Sequence, residues 1–124
     1  MINDAAPARE HFRVKPNDSI RYVVIRKDAI PVGMFLLAGG PEEAEIHFCL
    51  LPQVWGESFP VGWQAIVWIW THTQIQKLTG PVPSYNRLAL KFARRMGFRP
   101  KGIRPGGTKH GKLFHLILME LPRP

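Results

Sequence analysis

The chain has 124 residues, 45% hydrophobic and 21% charged, with a formal net charge of +8, which allows one domain with a real core and excludes both two domains and wholesale disorder. Its longest strongly apolar run, Ala65 to Trp70, is far short of the roughly 20 residues that span a bilayer, and Met1 to Arg13 holds no apolar stretch of a secretory signal. A single cysteine, Cys49, leaves no internal disulfide and fits a reducing cytoplasm, and the scattered histidines show no metal-ligand spacing.

The charge is unevenly placed. Eight of the nine acids lie in residues 1–57, and from Ser58 to Met119 there are ten Lys or Arg and no Asp or Glu. Such a field draws phosphates, whether of a cofactor, a nucleic acid or an acidic surface, or serves solubility alone.

In chain order, Met1 to Asp18 is polar and contains Pro7 and Pro16, so residues 1–19 read as an extended arm before a domain over 20–124. Ile20 to Arg26 is β-branched and predicts a strand. Asp28 to Pro31 predicts a turn, and Val32 to Leu37 the returning strand, broken at Gly39-Gly40-Pro41. Glu43 to Leu51 alternates: Ala44, Ile46, Phe48 and Leu50 share one face, while Glu45, His47, Cys49 and Leu51 share the other.

A loop is expected over Gln53 to Pro60, then a helix from about Val61 to Lys77, with Trp63, Ile66, Val67 and Trp70 on one apolar face and Trp68, Ile69 and Ile75 on a second, so that it is covered on more than one side. Thr79-Gly80 closes that region, and Pro81 to Pro83 is short and extended. Asn86 to Met96 predicts a second helix through Leu88, Ala89, Phe92 and Met96, with Gly97 at its C-cap. Phe98 to Ile103 is a strand, Gly106 to Gly111 a flexible turn, and Leu113 to Leu121 a long strand. The order is β-β-β-α-β-α-β-β, a mixed α/β sheet. No Walker-type or dinucleotide glycine fingerprint is present.

Two stretches carry chemistry. Gln53-Val54-Trp55-Gly56-Glu57-Ser58 joins a strand to a helix, where exposed N–H groups and the helix dipole favour a diphosphate. Asn86, Ala89, Gly97 and Phe98 form a second pattern about thirty residues later. Together they resemble the GNAT N-acetyltransferase superfamily, in which a Gln/Arg-x-x-Gly-x-Gly/Ala loop is followed by Asn-x-x-Ala, a helix and a closing Gly-Phe. The resemblance covers roughly Ile20 to Leu121. It implies a GNAT-like, mostly antiparallel sheet with two main helices and with the N-terminal strand and helices reduced or absent.

The resemblance further implies acetyl-CoA as co-substrate. Gln53, Trp55, Gly56, Glu57 and Ser58 would hold its pyrophosphate and Asn86 would lie near its arm; charge alone, not the resemblance, suggests Lys91 and Arg94 for its 3′-phosphate. An amine acceptor needs a base, because an ammonium cannot attack a thioester, and Glu45 and His47 on the third strand are the candidates. Against them stands a solvated strand carboxylate beside a partly buried histidine. The tyrosine that many members carry seven residues after the Asn is replaced by Ala93, with Tyr85 a nearby substitute. Cys49, on the His47 face, reads as a buried structural thiol rather than a nucleophile, since no third orienting residue is in sight.

Three functions stay open. One is an acyl-CoA-dependent N-acetyltransferase acting on an amine of a small molecule or protein. Another is a non-catalytic module of the same shape that binds a protein or CoA, similar to small GNAT-like chains of bacteriophages. The last is a basic nucleic-acid-binding protein, supported by charge alone. Trp63, Trp68 and Trp70 are expected to pack on the sheet as core, with Trp68 the alternative contact of a self-association surface if the chain forms a homodimer.

Overall fold

A computed structural model describes residues 2–4 and 20–124. Within residues 1–19, which read as an arm, Ile2–Asp4 forms a short strand, β1, and the remainder lies outside the described residues. β2 (Ile20–Lys27), β3 (Ile30–Gly39) and β4 (Glu43–Leu50) follow as an antiparallel meander. The β2–β3 connection is a two-residue turn, with Asp28 and Ala29 both at positive φ (53° and 68°), the backbone twist that tight hairpins use. A 3-10 helix (Pro52–Glu57) runs directly into α1 (Ser58–His72). Then come β5 (Lys77–Pro83), α2 (Arg87–Arg95), β6 (Arg99–Lys109) and β7 (Lys112–Pro122). Among the described residues the strands form one sheet in the order β1-β2-β3-β4-β5-β7-β6. Its pairings are antiparallel except β4 with β5.

The alternation in β2, β3 and β4 sends Val23, Ile25, Phe35, Leu37 and Ile46 to the face that α1 covers, all buried. From α1 the buried positions are Gly62, Ala65, Ile66 and Ile69, spaced three and four apart as one helical stripe. Complete burial of Ile66 and Ile69 contributes roughly 1.5–3 kcal/mol each before entropic costs. Of the two expected apolar faces, Ile66, Ile69 and Ile75 are buried, while Trp63 and Val67 are about half exposed (49% and 45%). Small Gly62 and Ala65 face inward because the helix packs closely, with Phe92 of α2 filling the space beside Gly62. Of the three tryptophans expected in the core, Trp68 and Trp70 pack against it and Trp63 is half exposed; Trp68 lies edge-on to Phe35 at 5.9 Å and stacks on His72 at 4.7 Å.

Other boundaries also shift. The anticipated open loop over Gln53 to Pro60 is helical throughout. α1 ends at His72, where Thr73 Oγ1 donates to the Ile69 carbonyl and accepts from the Ile75 N–H. Residues 77–80, expected at the helix end, are strand. Gly106 and Gly107, expected in a flexible turn, lie inside β6, where the ring of Phe114 fills the room their missing side chains leave; the turn itself is His110-Gly111.

The second helix forms as the sequence predicts. Asn86 Oδ1 accepts from the Ala89 N–H at 3.1 Å, an N-cap. At the other end Gly97 (φ 103°) allows Phe98 N to donate to Ala93 O and Gly97 N to Arg94 O, the paired bonds of a Schellman motif. Arg94 and Arg95 in the last turn complement the helix dipole.

Candidate functional site

The site arises from two prolines. Along a strand, successive residues direct their backbone groups to alternate sides. In β5, Ser84 N donates to His115 O and Arg123 N to Gln76 O, so even-numbered residues face β7. Lys77 N donates the other way, to Glu42 O. Pro81 and Pro83 therefore face β4 without an N–H to offer. The β4–β5 pairing accordingly stops after Glu43↔Lys77, Ala44↔Leu78 and Glu45↔Thr79, although β4 continues to Leu50. Beyond Thr79 the strands diverge.

The wedge between them is a cleft of about 180 Å³. Ile46, His47 and Phe48 form one wall and residues 80–83 the other; Ala89, Phe92 and Ala93 of α2 close one side over Phe98 and Met119. Phe48 and Phe92 meet edge to face at 5.6 Å. His47 is the only titratable side chain in this lining.

His47 does not stand alone. Its Nε2 lies 3.3 Å from Glu45 Oε2, and Glu45 Oε1 lies 3.0 Å from Nη1 of Arg104 on β6. A carboxylate only accepts, so the neutral imidazole keeps its proton on Nε2 and leaves the Nδ1 lone pair free. Both expected base candidates are thus in one cluster, on the face of β4 opposite Ile46 and Phe48. Arg104, the third member, was visible in the sequence only as one of ten basic residues.

Of the expected diphosphate residues, Gln53, Trp55, Gly56 and Glu57 lie on the 3-10 helix and are exposed, and Ser58 begins α1. Ser58 N donates to Trp55 O, closing the turn. Trp55 Nε1 donates to Leu50 O at 2.9 Å. Glu57 is held by Lys27 Nζ at 2.9 Å, a pairing that raises the lysine above its ordinary pKa. Gly56 has open space beside its α-carbon. Pro60, in the first turn of α1, removes one further N–H. Arg95 sits over the Phe59 ring at 4.3 Å, bringing the start of α1 against a shallow concavity formed by Arg87, Lys91, Arg94, Arg95 and Leu90 of α2. Asn86 spends its side-chain oxygen on the helix cap. Tyr85 lies outside the cleft lining, edge-on to Phe114 at 5.1 Å with Lys109 Nζ 3.9 Å from its ring centre. Cys49, expected to be buried, is exposed on the His47 side of β4.

No protein-family model matches the sequence, and no curated protein does. Solved structures do match. A spermidine N-acetyltransferase SpeG chimera from Vibrio cholerae and hSSAT superposes with a TM-score of 0.82 over 98% of this chain and 95% of its own, at 14% identity. The chain has the GNAT fold. The spermidine N-acetyltransferase from Vibrio cholerae in complex with CoA and spermine is similar to the same degree (TM-score 0.82, 13% identity, 98% and 94% covered). An acetyltransferase of the GNAT family from Streptococcus pneumoniae covers less (TM-score 0.69, 16% identity, 86% and 68%). Identities this low speak for the GNAT fold and leave activity to the site itself. No helix among the described residues is long and apolar enough to cross a membrane.

Proposed function

We propose that this chain is an acyl-CoA-dependent N-acetyltransferase. The observation that carries this reading is the divergence of β4 from β5 at the two prolines, which opens a narrow apolar cleft directly beside His47. A thin chain such as a pantetheine arm fits between Phe48 and Val82 with its polar edges toward strand backbone. The basic face of α2 at Arg87, Lys91 and Arg94 suits the phosphates, with the exposed backbone at Gly56 beside it. This divides the work differently from a loop of free amides, since Ser58 N–H is already engaged.

Acetyl-CoA would supply an acyl group activated as a thioester. The residues of this chain supply position and proton transfer. His47, held by Glu45 through Nε2, presents Nδ1 to the incoming ammonium or to a water beside it and takes up its proton. The amine nitrogen bonds to the acyl carbon as the carbon–sulfur bond breaks; His47 passes its proton to the departing thiolate, and the freed imidazole takes the second proton from the attacking nitrogen and releases it to solvent. One histidine serves both steps, so the absence of a tyrosine at Ala93 leaves no step without a donor. Glu45 is a positioning residue in this scheme.

The test is calorimetric titration with acetyl-CoA on the wild type and Gly56→Trp, followed by thiol release with amine acceptors. Binding weakened in Gly56→Trp, with turnover reduced about 10²–10⁴-fold in His47→Ala, supports the reading. No binding at millimolar acetyl-CoA rejects it. A second reading, a non-catalytic binding module, draws on Ala93 in the cleft wall; it predicts acetyl-CoA or protein binding without thiol release.

A further inference from the structure

The acyl-transfer reading leaves the acceptor undefined, and the charge around His47 narrows it. On the face of the sheet that His47 shares, the described carboxylates are Glu43 and Glu45 of β4 and Glu120 of β7. Each is already paired with a cationic or histidine side chain. Glu43 and Glu120 both hold Lys77 Nζ, at 3.3 and 3.0 Å, and Glu45 is divided between His47 and Arg104. The β6–β7 hairpin beside them carries Lys101, Arg104, Lys109 and Lys112 and no acid until Glu120. A polyamine brought to this cleft would meet like charge and only carboxylates already shared with Lys77, His47 or Arg104, which is costly.

Arg104 provides the opposite. Its guanidinium has five donors in a planar fork. Among the described residues its one partner is Glu45 Oε1, through Nη1. The side chain is 45% exposed, and it stands on the same carboxylate that orients His47. A fork with free donors next to a proton-accepting imidazole is the arrangement that binds a carboxylate or phosphate and a nearby amine of one molecule.

We propose that the acceptor is a small amine bearing its own anionic group, a carboxylate or a phosphate, which docks on Arg104 and sets the amine at His47. This inference rests on the acyl-transfer reading of the cleft. Anionic docking also explains why Glu45 need not be free: it holds Arg104 and His47 at a fixed separation, so the two ends of the acceptor are registered by one side chain.

The experiment compares β-alanine, O-phosphoethanolamine, ethanolamine and ethylenediamine as acceptors by thiol release from acetyl-CoA, and titrates each into the CoA-saturated protein. Wild type, Arg104→Gln and Lys112→Gln are compared; Lys112 removes a charge from the same hairpin without touching the cluster. The expected result is kcat/KM, or affinity where turnover is silent, at least roughly tenfold higher for an anionic amine than for ethanolamine, with ethylenediamine lowest. β-Alanine against O-phosphoethanolamine tells carboxylate from phosphate. Arg104→Gln should abolish the preference and Lys112→Gln keep it. Ethylenediamine equal to or better than the anionic amines, no anionic amine bound, or a preference that survives Arg104→Gln overturns the inference while CoA binding stands. Failure of CoA to bind overturns the acyl-transfer reading and this inference with it.

Discussion

A methyl group on Gly62 would stand 2.5 Å from Cζ of Phe92, so the missing side chain of one helix is the space occupied by the aromatic ring of the other. That ring is also a wall of the cleft. Helix packing and cleft width are therefore set by the same contact. Gly62→Ala is expected to push Phe92 toward Phe48, narrowing the cleft, and to cost about 1–3 kcal/mol from overpacking. Acetyl-CoA titration should show weaker binding, and Phe92→Leu in the same chain should restore part of both losses. Unchanged affinity in Gly62→Ala would mean that the ring moves elsewhere.

β4 is legible because its buried and open faces alternate along the chain, while β2 and β3, buried on both faces over Tyr22 to Ile25 and Val32 to Phe35, show as β-branched and apolar runs bounded by turn residues. Of β5 the sequence shows only the extended Pro81 to Pro83, because residues 77–80 read as the end of the helix before it, and only the sheet reveals that both prolines turn their nitrogen away from β7. In α1 the expected Ile66 and Ile69 are buried, but close packing also selects the small side chains of Gly62 and Ala65, which no apolar pattern marks, and leaves Trp63 and Val67 half exposed. Glu45 and His47 were found from strand alternation and an expected need for a base. Arg104 was not, since nothing local marks a residue that meets Glu45 across two intervening strands.

Asn86 separates two roles that the sequence alone merges. Its side-chain oxygen caps α2 through the Ala89 N–H, so Asn86→Ala should lower stability by about 0.5–2 kcal/mol. Asn86→Ser keeps a capping oxygen and should recover most of that. If acetyl-CoA affinity follows stability across the two variants, capping is the whole role. Loss of affinity in a stable Asn86→Ser protein would assign the side chain to the ligand as well.

Cys49 makes a pH-dependent prediction. Partial burial pushes its thiol above the ordinary value by disfavouring the thiolate. The folded state then holds this proton more tightly than the unfolded chain. The associated stability is full below the unfolded thiol pKa and declines as pH rises through the folded one. Since the thiolate is the nucleophile, iodoacetamide should alkylate native Cys49 more slowly than the urea-unfolded protein between about pH 7 and 10, with its rate profile displaced to higher pH. Faster reaction in the native state would instead indicate a local activating charge.

Arg123, one residue from the C-terminus, closes the far end of α1. Its Nη1 donates to Trp70 O at 2.8 Å, Nη2 to Thr73 O at 2.9 Å and Nε to Ile75 O at 3.0 Å, while the guanidinium lies 4.9 Å from the Trp70 ring centre. These carbonyls belong to the last turn of α1 and the segment after it, where a helix leaves acceptors unpaired and its dipole is negative. One planar cation thus ties the end of β7 to the end of α1. Hydrogen bonds from a charged donor contribute about 1.5–3 kcal/mol each but are not additive, so Arg123→Ala should cost about 2–3 kcal/mol in all. Arg123→Lys should recover less than half, because an ammonium cannot span three carbonyls. Urea unfolding checks this as a lower midpoint at unchanged slope. Acetyl-CoA affinity should not change, because none of these contacts borders the cleft; a loss of binding in the folded Arg123→Ala protein would show that the end of α1 is coupled to the divergence of β4 and β5.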